Sequence, residues 1–73
     1  MKGSISMNVK DWFIEAFIIT ASYNVKKAAE NLLEYKKLTG NEITIEDVKE
    51  LTNDNNDIEA MREAIRMRFE LAN

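Results

Sequence analysis

The chain has 73 residues, no cysteine, no histidine and no proline, with ten basic and thirteen acidic side chains and a net charge of −3. That length allows one domain at most and a small core, since so short a chain hides only about 60% of the surface that its unfolded form exposes. Without cysteine or histidine, neither a disulfide framework nor a zinc site can staple it. Stability then has to come from helix packing, self-association or docking on a larger partner.

Enzymatic chemistry is not expected. The side chains that most often act as bases and nucleophiles near neutral pH are missing. Ser4, Ser6 and Ser22 have no base placed to activate them. The carboxylates Glu46, Asp47 and Glu50 fall at cap or surface positions. No cofactor is expected either. The most apolar stretch, Trp12 to Ala21, is ten residues long and carries Glu15. A membrane span needs roughly 20 apolar residues, and a signal peptide carries no charge within its apolar region. These features, with the lack of cysteine, point to a cytoplasmic setting.

Charge is spread unevenly. Residues 1–39 hold six lysines against four carboxylates, and residues 40–73 hold nine carboxylates against four basic residues. An acidic second half lacks the basic face expected of a nucleic-acid binder.

In chain order, Met1 to Met7 has no periodicity and is expected to be a flexible lead-in, with Met1 or Met7 as the natural start. Residues 8–73 then form a single all-α domain of three or four helices, because strand-type alternation is absent and Gly40 is the only glycine after residue 3. The first helix starts after Asn8, a cap, with Asp11 near the positive helix end. Val9, Trp12, Phe13, Ala16, Ile19, Thr20 and Tyr23 share one broad face, and Ile14 and Ile18 fall on another.

Asn24 is able to cap a new helix, but Lys26 and Lys27 would crowd its positive end. A continuous or kinked helical arm over residues 9–38 is therefore expected. In it Ile14, Ile18, Ala21, Val25, Ala28, Leu32 and Tyr35 keep alternating steps of four and three, the rhythm of a helix-packing seam. Gly40 closes the arm in the left-handed conformation, with Lys36 and Lys37 in the last turn.

A short helix is predicted over 45–52, with Thr44 as cap, Asp47 completing a capping box and Ile43 stapled to Val48. Residues 53–57 form a polar turn, followed by a last helix over 58–72. One stripe of that helix holds Ile58, Met61, Ile65, Phe69 and Ala72, and a second holds Ala60, Ala64, Met67 and Leu71. Glu59–Arg62, Glu63–Arg66 and Arg66–Glu70 are helix-neighbour charge pairs.

Two helices thus carry two apolar faces each, and one face each suffices for an internal core. The surplus points to a non-enzymatic protein-interaction module. The expected assembly is a homodimer acting as a regulator, inhibitor or assembly factor for a larger host or viral protein. Its expected interface is Ile14, Ile18, Ala21, Val25, Ala28 and Leu32, with Met67 and Leu71. The richness in asparagine, lysine and isoleucine is similar to AT-rich bacterial or phage coding sequence, a compositional association only.

Two alternatives come from other features. The helices at 45–52 and 58–72 have the lengths of a helix-turn-helix DNA-binding unit, with Val48, Leu51, Ile58 and Met61 as its buried positions. Separately, Asn24-Val25-Lys26-Lys27-Ala28-Ala29-Glu30-Asn31-Leu32 resembles the first helix of some bacterial helix-turn-helix regulators. The resemblance covers nine residues and departs at Leu33-Glu34-Tyr35, where the helix continues instead of turning. The residues facing DNA would be Asp54, Asn55, Asn56, Glu59 and Ala60, which put negative charge against phosphate. The other alternative is an acidic inhibitor of a nucleic-acid-binding protein, using Glu46, Asp47 and Glu50 as a docking surface. A calcium loop at 53–57 fails, since Ile58 stands where the sharp turn needs glycine and Ala64 where the bidentate glutamate belongs.

Overall fold

The computed structural model of the protein describes residues 8–72, so the expected lead-in and the choice of start between Met1 and Met7 lie outside the described residues. All regular structure among them is helical: α1 (Val9–Ala21), α2 (Val25–Thr39), α3 (Ile45–Leu51) and α4 (Asn55–Ala72). The all-α class and helix count agree with the sequence reading.

α1 starts as its cap dictates. Asn8 is extended, and its side-chain oxygen accepts the amide of Asp11 at 2.9 Å. The expected continuous or kinked arm over 9–38 is corrected at the other end, where the chain breaks into two helices. The Ser22 amide still reaches Ile18 O at 3.1 Å, and the Asn24 amide reaches Thr20 O at 2.8 Å. Asn24 itself is extended (φ −155°, ψ 90°), and its side chain accepts the amide of Lys27 at 3.0 Å. One capping residue thus outweighs the unfavourable lysines in the first turn of α2.

The larger reason for the break is packing. Phe13 near the start of α1 lies 5.0 Å, ring centre to ring centre, from Tyr35 near the end of α2. Phe17 meets the same ring edge-on at 5.8 Å. The two helices therefore run antiparallel, joined by an aromatic cluster whose geometry suits the ring quadrupoles. A straight arm would have held Phe13 and Phe17 away from Tyr35.

α2 ends at Gly40 (φ 76°), whose amide bonds Lys36 O at 2.8 Å. The capping box at the start of α3 is complete: Asp47 N donates to Thr44 Oγ1 at 3.3 Å and Thr44 N to Asp47 Oδ2 at 2.9 Å. Ile43 and Val48, the two staple residues, are both fully buried. α4 begins three residues earlier than expected, at Asn55 rather than Ile58. Asp54 Oδ1 accepts the amides of Asn56 and Asp57 at 2.8 and 3.2 Å, so the turn donates its own residues to the helix.

α2 packs against α1 and against α4, while α3 touches α1 and α4. Ala28 and Ala29 on α2 and Ala64 on α4 have no exposed surface, which lets the two backbones approach closely. Ile14, Leu32, Ile43, Val48 and Met61 are the largest fully buried side chains. The ion pair Lys10 Nζ–Asp47 Oδ2, at 3.2 Å, ties the start of α1 to α3. The molecule is only 18 Å thick in its shortest dimension, about two helix diameters of roughly 10–12 Å. With two layers and no more, α1 is covered on one side and left open on the other.

Candidate interaction surface

Both sides of α1 are apolar. Ile14, Phe17, Ile18 and Ala21 face inward and are buried. Val9, Trp12, Ala16 and Ile19, with Tyr23 in the turn that follows, recur in steps of three and four on the outward side. Trp12 is 67% exposed, Ile19 59% and Tyr23 76%. Between Trp12 and Tyr23 the only charge is Glu15, half-buried at the margin of this stripe. An indole and a β-branched chain left so open on a helix have no role in the internal core.

The stripe continues into a groove of about 310 Å³ between α1 and α2. Phe13, Ala16, Phe17 and Thr20 form one wall, and Tyr35 and Leu38 stand on the other. Phe13 and Leu38 remain 43% and 77% exposed, so the rim is partly apolar, with Asn31, Glu34 and Thr39 as its polar part on α2. No known protein family, curated protein or solved structure matches this chain at a significant level. The surface itself is therefore what speaks for function.

The structure places the predicted interface residues differently from the expectation. Ile14, Ile18, Ala21, Ala28 and Leu32 lie inside the chain's own core and are closed to a second molecule. Val25 packs against that core, Met67 is half-buried, and Leu71 is 39% exposed. The seam rhythm over residues 14–35 is real, but its two halves face each other across the turn at 22–24. The outward residues Trp12, Ile19 and Tyr23 were legible in the sequence as a face. Which of the two faces is internal was reversed, because that depends on where the chain folds back.

The predicted acidic surface is also reduced. Asp47 is engaged by the Thr44 amide and by Lys10. The hydrogen bond from the Thr44 backbone is the main cause that holds its carboxyl below the usual aspartate range. Glu46 and Glu50 stay exposed, one turn apart on α3. Elsewhere Glu42 pairs with Lys36, whose hydrogen bond lowers its pKa. Arg66 sits between Glu63 and Glu70, while Glu59 and Arg62 do not pair. Most carboxylates with a nearby cation are thus already satisfied.

The turn at 53–57 is committed to capping. Asp54 Oδ1 holds two helix amides, and Thr52 Oγ1 donates to Asp57 Oδ2 at 3.2 Å. Among the described residues no group of three or more acidic side chains is placed to hold a metal ion. None of the described helices is long and apolar enough to cross a membrane.

Proposed function

We propose that the protein is a non-enzymatic, cytoplasmic interaction module whose outward α1 face pairs with a second copy of itself. One observation carries this: the uncharged stripe Val9–Trp12–Ala16–Ile19–Tyr23 on the side of α1 away from the core. Three properties suit it to a symmetric pair. The three-and-four spacing is that of a helix seam. Ala16 lies at its middle, where a small residue lets two helix axes cross closely. In an antiparallel crossing at Ala16, Val9 of one copy lies opposite Tyr23 of the other and Phe13 opposite Ile19, so no like charges meet.

Area supports the same conclusion. Val9, Trp12, Phe13, Ile19, Tyr23 and Leu38 together leave open a surface on the order of 800 Å², the share that one partner contributes to a standard interface. Monomers seldom expose an apolar patch above roughly 300–600 Å² without a use for it. With α1 occupied by self-association, the charged faces of α3 and α4 are left for the larger protein that such a dimer would regulate, inhibit or help assemble.

Sedimentation velocity across a dilution series is the test. The native chain should sediment as a dimer down to low micromolar concentration, and Ile19→Glu should give a monomer of unchanged helicity. A native chain that is monomeric at every concentration would overturn the proposal.

A further inference from the structure

A second cleft, of about 510 Å³, is lined by the α2–α3 connection, the start of α3 and the last turns of α4, with nothing from α1. Its walls include Ile43, Ile45, Ile65 and Phe69, and Arg68 lines it as well. Arg68 is the anomaly of the fold: it is 4% exposed, the one charged side chain buried among the described residues. It makes no hydrogen bond or ion pair with any described residue, and its Nη1 is enclosed without an acceptor. Its guanidinium carbon lies 4.7 Å from the centre of the Phe69 ring, and the only carboxylate among the described residues whose ionisation it favours is Glu42, which is hydrogen-bonded to Lys36.

Most of the other charges at this cleft are engaged in pairs. Arg66 is bonded to both Glu63 and Glu70, and Glu42 is held by Lys36. Glu46 and Arg62 stand on the rim with opposite signs. What remains is a desolvated guanidinium facing an apolar trough of the size that small ligands occupy. A buried cation without a partner is costly to a fold, and such local violations concentrate where a ligand supplies the missing group.

We propose that this cleft binds a single carboxylate carried on an apolar body, with Arg68 as its counter-ion and the isoleucines and Phe69 holding the apolar part. The planar fork of the guanidinium matches a carboxylate. The carboxylate can belong to a small acid or to the free end of a peptide, and the probes separate these.

Octanoate, 1-octanol and acetyl-Leu-Leu with a free or an amidated carboxyl end would be titrated into the full chain and followed by residue-resolved NMR. Octanoate or the free-acid peptide should shift the amides of Ile43, Ile45, Ile65 and Phe69 and the Arg68 Nε–H. The preference over the neutral counterpart should be about tenfold or more, the effect of a charge-assisted hydrogen bond. Preference for octanoate identifies a small acid, and preference for the peptide identifies a chain end. Arg68→Met should abolish the discrimination while melting at the same temperature or higher, because it removes a buried charge that no described residue hydrogen-bonds. Equal binding of acid and neutral probes, discrimination that survives in Arg68→Met, or a lower melting temperature for that variant would each overturn the proposal. All these signals come from the α2–α3 connection, α3 and α4, so they report independently of any pairing through α1.

Discussion

Ile18 and Ile19 are consecutive, yet Ile18 is 7% exposed and packed in the core while Ile19 is 59% exposed on the outward stripe of α1. The helical step of about 100° between them puts one in the core and the other on the surface. Ile18→Glu should abolish the folded state, since an unpaired buried charge costs several kcal/mol, comparable with the roughly 3–5 kcal/mol that a core of this size supplies. Ile19→Glu should keep the native circular dichroism spectrum and change only the sedimenting mass. Two glutamates with the same effect would mean that the two faces are not divided in this way.

Asn24 is the local cap at the break between α1 and α2. Its side chain accepts the Lys27 amide, no acidic residue stands in the first turn of α2, and Lys26 and Lys27 do. Asn24→Ala should lower stability by about 1 kcal/mol, the usual value of such a cap. Lys26→Glu should raise it by roughly 0.3–1 kcal/mol through the helix dipole. Urea unfolding midpoints measure both, and opposite signs are expected.

Gly40 offers a separation of two effects that usually come mixed. Its φ is +76°, and a side-chain carbon built there would meet nothing within 4 Å. Gly40→Ala therefore suffers only the left-handed backbone penalty of about 1–2 kcal/mol, with no steric clash added. Gly40→Asn should recover part of that loss, because asparagine tolerates the conformation better. Thermal melts of the two variants give the comparison.

Acid stability should depend on Asp47. Its carboxyl is held below the ordinary aspartate range, first by the Thr44 amide and further by Lys10. A group whose folded pKa is depressed contributes stability above its unfolded pKa and loses it as pH falls through the folded value. Unfolding free energy should therefore decline on acidification from the ordinary aspartate range downward. With no histidine in the chain, no side chain of ordinary pKa titrates around neutrality, and stability there should be flat. Asp47→Asn should shallow the acid limb of a urea-midpoint profile. An unchanged acid limb would assign it to other carboxylates.

Local signals proved legible where the physics is local. Asn8, Thr44, Asp47 and Gly40 act through hydrogen bonds spanning three or four residues, and the caps they form follow from residue type and spacing alone. The start of α4 at Asn55 was missed because Asp54, Asn55 and Asp57 are each able to serve as cap or first turn. Only the amides actually held by Asp54 decide among them. Arg68 was missed for a different reason. It falls between two apolar stripes of α4, and the face that turns inward, through Met61, Ala64 and Arg68, runs between them.

Composition and periodicity by themselves determined that this protein is all-helical, that it has surplus apolar surface and that its helix ends lie near Asn8, Gly40 and Thr44. Those properties depend on backbone hydrogen bonding and on a 3.6-residue repeat, both written in short stretches of chain. Tertiary structure alone decided which apolar face of α1 is core and which is surface, and that Arg68 is enclosed. Both outcomes turn on the reversal at Ser22–Asn24 and on the approach of α2 to α4, contacts between residues far apart in sequence. No local pattern records which of two equally apolar faces will meet a neighbour.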